Sequence, residues 1–311
     1  MDEKELLELI KQMSSDEIEL VYDKKMKLYV SEGPSWNAYR KAEQLTDTAA
    51  IPFLNNLLEK IKDRKVRDNI YFILGKIGEN TGDERVVNIL LKRLEVETNK
   101  YTLETMLDQI ANQKDVPNYS SIMKFIDDKR TAVRYRAIQT LSKCKHPIVE
   151  NALIKVIDES QDQYDLCYAS GSLSHIGTIK SIPHLVRLLE RAKGDAKCVT
   201  LYALEVLGDS TLLPIFMEAM QDRSPTVKSY ALSGLLKYGD ETAIDVVYKR
   251  VKTVLTRKRK IESDELVLTF EFLNRYKKEQ KRIQQLFEWI QSKKWDYLFD
   301  EEKDWYKNNI D

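Results

Sequence analysis

Glycine and proline are scarce, 10 and 7 in 311 residues. Sheet-rich folds spend both on turns, so the shortage excludes a turn-dense β architecture and favours helices joined by short loops. Cysteine is nearly absent. Cys144, Cys167 and Cys198 form an odd, sparse set that offers no disulfide framework and suits a reducing compartment. Excess charge is missing too, since 50 basic residues balance 50 acidic ones. Counterion-release binding needs a surplus of Lys and Arg on one surface, so the balance argues against a dedicated wrapper of nucleic acid and leaves room for a local basic patch. No run reaches the roughly 20 apolar residues of a membrane span. The acidic start Met1-Asp2-Glu3-Lys4-Glu5 lacks the basic opening of a secretory signal. The expectation is a cytoplasmic protein with no membrane partner. At 42% hydrophobic and 32% charged, the chain has enough apolar content to fold.

What is present is a repeat. Val133, Ala137, Ile138 and Leu141 fall at relative positions 0, 4, 5 and 8, one face of a helix. The same template fits Val66, Ile70, Tyr71 and Leu74, then Val199, Ala203, Leu204 and Leu207, then Val227, Ala231, Leu232 and Leu235. Weaker copies start at Asn37, Thr102 and Asp165, and an eighth at Glu265, with starts 28 to 38 residues apart. A second apolar helix follows each copy. Ile51-Pro52-Phe53-Leu54, Ile182-Pro183-His184-Leu185 and Leu213-Pro214-Ile215-Phe216 open three of these, and Val116-Pro117-Asn118-Tyr119 opens the version in the third repeat. Proline suits a first turn, where a missing N–H costs nothing.

The Val-x-x-x-Ala-Leu-x-x-Leu helix followed by Ile-Pro-x-Leu-x-x-Leu-Leu resembles the HEAT repeat family, within it the short bacterial, phycobilin-lyase-type repeats. The resemblance implies an all-α fold, a right-handed α-α superhelix of the HEAT/armadillo-like solenoid kind, in which neighbouring repeats stack into one core. It covers residues 36–255 as about seven repeats. Residues 1–35 form an N-terminal helical cap, with helices around Glu3–Met13 and Asp16–Val30, the second capped by Ser14-Ser15-Asp16 and ended by Gly33-Pro34-Ser35. Residues 256–311 are a basic linker and a C-terminal helical cap with helices over Glu265–Lys278, Gln280–Gln291 and a tail at Asp296–Ile310. Gly75, Gly78, Gly177 and Gly208 are expected as helix C-terminal caps.

The resemblance further implies that second helices line a concave face. Counting along them from the proline places Lys60, Lys92, Arg93, Lys124, Lys155, Arg187 and Arg191 in a basic row, which Glu218, Asp222 and Asp245 interrupt. Stacked repeats sum such charges into a field along the groove. A denser feature lies between Lys249 and Lys260, where Lys249, Arg250, Lys252, Arg257, Lys258, Arg259 and Lys260 occur with no acid. Such a run serves as a phosphate-binding or localisation segment, or as a solvated helix end whose charge complements the dipole. The aromatic group Phe287, Trp289, Trp295, Tyr297, Phe299, Trp305 and Tyr306 either seals the last repeat or docks a protein.

Signs of catalysis are lacking. The Cys144-Lys145-His146 pair matches no metal-ligand spacing, and no Gly-rich phosphate loop occurs. Within Ser170-Gly171-Ser172-Leu173-Ser174-His175 the serines fall at crowded helix crossings. Neither metal nor cofactor is expected. The HEAT-like alkylpurine DNA glycosylases also use a basic groove, with concave tryptophans, an aspartate and an arginine. Here Trp36, Trp289, Trp295 and Trp305 lie at the chain ends, and no residue of that site carries over. The expectation is a non-enzymatic scaffold, adaptor or inhibitor holding a protein with an acidic surface in its groove. Nucleic-acid binding in the same groove is the alternative.

Overall fold

The structure, a computed structural model, describes residues 1–310. Its elements are α1 (Glu3–Met13), a hairpin of β1 (Glu19–Asp23) and β2 (Leu28–Glu32), then α2 (Pro34–Glu43), α3 (Ala50–Lys60), α4 (Arg64–Thr81), α5 (Glu84–Leu94), α6 (Lys100–Ala111), α7 (Ser120–Met123), α8 (Thr131–Thr140), α9 (Pro147–Glu159) and α10 (Gln163–Ile176). They continue as α11 (Ile182–Leu188), α12 (Gly194–Leu207), α13 (Leu213–Ala219), α14 (Pro225–Tyr238), α15 (Ile244–Val254), α16 (Glu265–Asn274), α17 (Lys281–Trp289) and α18 (Asp300–Asn309). Two compact units divide the chain, Met1–Gly177 and Thr178–Asp311. Both are built of paired helices, and the chain belongs to the all-α helical-repeat class.

In the first unit α4 packs on α6, α6 on α8 and α8 on α10, so the template helices stack on one another. In the second, α12 packs on α14 and α14 on α16. The template marks most of the buried positions, but its Val66, Val199 and Leu207 are only half-buried, and α12 buries Cys198 and Leu201 beside the stripe. Ile70, Tyr71, Leu74, Val133, Ala137, Ile138, Leu141, Ala203, Leu204, Ala231 and Leu235 are all closed to solvent. Fully burying an aliphatic side chain of Val, Leu or Ile size is worth about 1.5–3 kcal/mol, so the recurring stripe supplies the stacking energy that a single repeat lacks.

The loops inside each pair share one device. A side chain accepts the backbone N–H two residues on: Asp47 from Ala49, Asp83 from Arg85, Asn118 from Ser120, His146 Nδ1 from Ile148, Thr178 from Lys180, Asp209 from Thr211 and Asp240 from Thr242. These Asx-type turns satisfy an amide that the next helix leaves unpaired. Gly177, Gly208 and Gly239 close the preceding helices α10, α12 and α14.

Four local expectations change. Residues 19–32 form an antiparallel hairpin where Asp16–Val30 reads as a helix, with Tyr22 opposite Tyr29 and Val21 opposite Val30. β-branched and aromatic residues favour a pleated surface, and the polar stretch Lys24–Lys27, with Lys27 at φ 54, makes the turn. Ser14 accordingly ends α1 rather than starting a helix, and Gly33 with Pro34 opens α2. A Cβ on Gly33 would stand 2.3 Å from the Glu17 carbonyl oxygen, so only glycine fits where the base of the hairpin closes. Gly75 and Gly78 lie inside α4, pressed against Gln109 and Gln113, and the cap is Gly82 at φ 71. The second helix of the third repeat shrinks to the single turn α7, because Asn118 starts it late.

At the end of the second unit, α16 and α17 are joined through a π-helical turn at Ile290–Lys294 and a tight turn at Trp295–Tyr297 to α18. Phe270, Phe287 and Tyr306 are buried there and meet edge-on. Trp305 lies 5.6 Å from the Phe270 ring and Trp295 meets Tyr306 edge-on at 5.5 Å. The Tyr306 hydroxyl donates to the Phe287 carbonyl at 2.6 Å.

Candidate partner-binding grooves

The row of cations expected on the second helices divides by chemistry. Lys60 ends α3 and Lys92 lies on α5, both exposed. Lys124 is exposed just after α7, 3.6 Å from Glu95, and Lys155 is exposed on α9, 3.8 Å from Glu159. Exposed pairs at these distances are worth little and leave the ammonium groups open to a partner. Arg93 is different. Its guanidinium donates to the Asn55 side chain and carbonyl at 3.0–3.1 Å and to Glu59 at 2.6 Å, which clamps α5 to α3. In the second unit Arg187 donates toward His184 at 2.9 Å, and Arg191, just past α11, is half-buried.

Open grooves separate successive second helices. One of about 510 Å³ lies along α3 and α5, lined by Asn55, Glu59, Asn88, Lys92, Arg93 and Val96. Another of about 410 Å³ is lined by Met123, Ile126, Arg134, Lys155, Glu159 and Asp165. In the second unit a groove of about 310 Å³ collects Met220, Lys228, Asp245, Lys249 and Arg250. The structure thus brings Lys92 to Arg93 and Lys249 to Arg250 in shared grooves, each beside a carboxylate.

Arg134 is the residue that sequence reasoning passed over as mere template. It donates to Asp165 at 2.8 Å, to Asp162 at 3.2 Å and to the Asp128 carbonyl at 2.8 Å. Tyr135 donates to the same Asp162 at 2.7 Å. Burial, reinforced by that carboxylate, pushes the Tyr135 phenol up to about 12. Arg67, on α4, has the matching role and pairs with Glu97. The visible signal was a basic residue directly after the template valine, at Arg67 and Arg134, with an acid 30 or 31 residues later.

Three cations of the basic segment, Arg250, Lys252 and Arg259, are built into the fold. Arg250 on α15 makes a two-pronged pair with Glu265 at 2.6 and 3.1 Å. Arg259 does the same with the buried Glu302, at 2.5 Å on both prongs, and also donates to the Tyr297 carbonyl. Its guanidinium lies 4.7 Å over Phe299. Lys252 lies 3.5 Å over Trp289, and burial first, then the charge of Lys294, holds its ammonium below the usual lysine range. Lys258 approaches Tyr297 at 5.9 Å. Lys249, Arg257, Lys258 and Lys260 remain exposed. These cations and the aromatic group form one structure, in which cation–π contact and buried ion pairs fasten the cap.

Among the described residues no three His, Cys, Asp or Glu side chains gather as a metal-holding group. Cys144 is buried, and burial pushes its thiol up to about 11. Ser172 is buried and donates to the Ile138 carbonyl at 2.8 Å, a helix-crossing contact. None of the described helices is long and apolar enough to cross a membrane.

Stacked helix pairs with open grooves between second helices define a helical-repeat protein. Solved structures of that class match it. The X-ray structure of YibA from Escherichia coli aligns at a TM-score of 0.58 over 89% of this chain and 95% of that one, with 17% identity. A crystal structure of an engineered protein aligns at 0.51 over 99% of this chain and 88% of that one, with 14% identity. At such identities the likeness is one of fold. No family model and no curated protein matches the chain.

Proposed function

We propose that this chain is a non-enzymatic binding protein of the HEAT-repeat kind, a scaffold, adaptor or inhibitor in the cytoplasm, which holds a protein partner along the face of its second helices. The observation that carries this reading is the division of labour among cations in the first unit. Arginines 67, 93 and 134 are spent on intramolecular pairs, while Lys60, Lys92, Lys124 and Lys155 are exposed, Lys92 and Lys155 of them in open grooves. Lysines held this way by a rigid stack attract and orient an acidic surface. Glu59, Glu95 and Glu159 interleave with them, a mixture that suits a protein surface better than a continuous phosphate backbone.

The test reverses only the open cations. A Lys60→Glu, Lys92→Glu, Lys124→Glu, Lys155→Glu variant should keep its helical content and thermal midpoint, and should lose at least tenfold in capture of the partner that the native chain retains from its own cell extract. Undiminished capture would remove the groove from consideration. Salt-dependent binding to duplex DNA, with a steep slope, would replace the protein reading with the nucleic-acid one. Reversing Arg93 instead is uninformative, since it breaks the clamp between α3 and α5.

A further inference from the structure

Three lysines of the C-terminal cap converge on two rings. The Lys252 ammonium lies 3.5 Å from the centre of the Trp289 ring, and the Lys294 ammonium lies 5.5 Å from the same ring. Lys294 is also 4.0 Å from the Tyr297 ring, which Lys258 approaches at 5.9 Å. The fold forces this meeting. Lys252 comes from α15 and Trp289 ends α17, while the π-helical turn at Ile290–Lys294 and the tight turn at Trp295–Tyr297 supply Lys294 and Tyr297. Lys252, Trp289, Lys294 and Tyr297 are each half-buried and Lys258 is exposed, so the group is anchored in the cap and open to solvent.

No carboxylate compensates these lysines. Three acids packed around the cap are taken by arginines: Glu265 by Arg250, Glu302 by Arg259 and Asp245 by Arg282. Asp300 and Asp304 pair with Lys303 and Lys307 on α18. Glu288, beside Trp289 in sequence, accepts from Gln284, and exposed Asp296 forms no ion pair with any of the three lysines. Like charges gathered without a counter-charge repel one another. The rings offset part of that repulsion, yet burial and the charge of Lys294 still hold the Lys252 ammonium below the usual lysine range. An anion bound at such a cluster removes the repulsion as well as adding attraction, and so stabilises the fold that presents it.

Ammonium groups already lie over both rings, so the feature to be recognised is charge and not a stacked base. Lysine meets phosphate as a point charge on a flexible stem. Three such stems spread over two rings suit an anion whose charge is distributed over several phosphoryl oxygens better than a single carboxylate. We propose that Lys252, Lys258 and Lys294 form a binding site for a polyphosphate anion of two or more phosphoryl groups, free in solution or carried on a lipid headgroup. Trp289 and Tyr297 hold the ammonium groups in place until the anion takes them. The site uses none of the groove lysines Lys60, Lys92, Lys124 and Lys155, so it stands or falls independently of the proposed function.

The experiment has two arms on the full chain: calorimetric titration with inorganic tripolyphosphate, and flotation with vesicles containing phosphatidylinositol bisphosphate. Binding of tripolyphosphate assigns a soluble anion, and binding of the vesicles alone assigns the headgroup. In whichever arm binds, Lys252→Met with Lys294→Gln should weaken the affinity at least ~30-fold while keeping the helical content. Lys252→Arg with Lys294→Arg keeps both charges and should retain most of the affinity. An arginine variant as weak as the neutral one would show that packing and not charge was lost, and would overturn the proposal. So would affinity that the neutral variant leaves unchanged, or that Lys60→Gln with Lys92→Gln reduces equally, since a diffuse basic surface would explain either. No binding in either arm up to about 1 mM phosphate would also overturn it. A single-stranded oligonucleotide that binds more tightly than tripolyphosphate, with affinity growing with its length, would replace the site with a nucleic-acid surface.

Discussion

The two ends of the chain handle the same kind of side chain in opposite ways. At the C-terminal end Phe270, Phe287 and Tyr306 close on one another, Trp305 covers them, and Arg259 is pinned to Glu302 at the edge. At the N-terminal end Ile18, Leu20, Tyr22 and Tyr29 form an equally aromatic and aliphatic surface that faces water. A repeat array must end in units that cover its last apolar face. The cap after the last repeat does so within the chain. The hairpin leaves large side chains on both of its faces in water instead of covering a repeat face.

The comparison is broken most forcefully at the cap. Phe287→Ala removes a buried ring that touches Phe270, Trp305 and Tyr306, and should cost about 3–5 kcal/mol. Urea unfolding of the full chain, followed by tryptophan fluorescence from Trp289, Trp295 and Trp305, reads that loss directly. A cost below ~1 kcal/mol would mean that the aromatic group is loosely held and free to act as a docking surface, and the contrast between the ends would fail.

A smaller effect is expected at the loops between repeats, and it should be alike in both units. Asp128 in the first unit lies below the usual carboxylate range, chiefly through the hydrogen bonds donated by Arg130. Asp222 in the second is lowered by Lys197 and by the amide of Ser224. A carboxylate lowered in the folded state adds stability above its ordinary pKa of about 4, and that stability is lost as pH falls through the lower folded value. Acid titration should therefore weaken the native chain below about pH 4, with a share of the loss absent from Asp128→Asn and Asp222→Asn. Each substitution should itself cost about 1–2 kcal/mol at neutral pH. A flat acid profile would show that these loops do not hold the stack.

Much of this was legible in the residues. The Val-x-x-x-Ala pattern and the recurring Pro52, Pro183 and Pro214 identify stacked helix pairs, because buried stripes and first-turn prolines are dictated locally. Gly208-Asp209 and Gly239-Asp240 were equally readable as a stop followed by an Asx turn. The hairpin was hidden for a physical reason. Its turn, Lys24–Lys27, contains no Gly, Asn or Pro, and Glu, Leu, Lys and Met are good helix formers. Only the density of Ile18, Val21, Tyr22, Tyr29 and Val30 marked it as pleated. The groove cations could be placed by counting, but whether each was open or spent could not. That depended on Glu59 lying one repeat away from Arg93 and on Glu302 lying 43 residues from Arg259, contacts that only tertiary packing creates.

The smallest effect should come from the hairpin face, and its smallness is what gives the comparison its meaning. Leu20→Ser with Tyr29→Ser removes two large side chains that are each more than two-thirds exposed. The change in unfolding free energy should stay within about 0.5 kcal/mol, as for surface positions that fill no cavity. A large loss would mean that the face packs against its own chain. The two ends would then be alike, each an intramolecular seal.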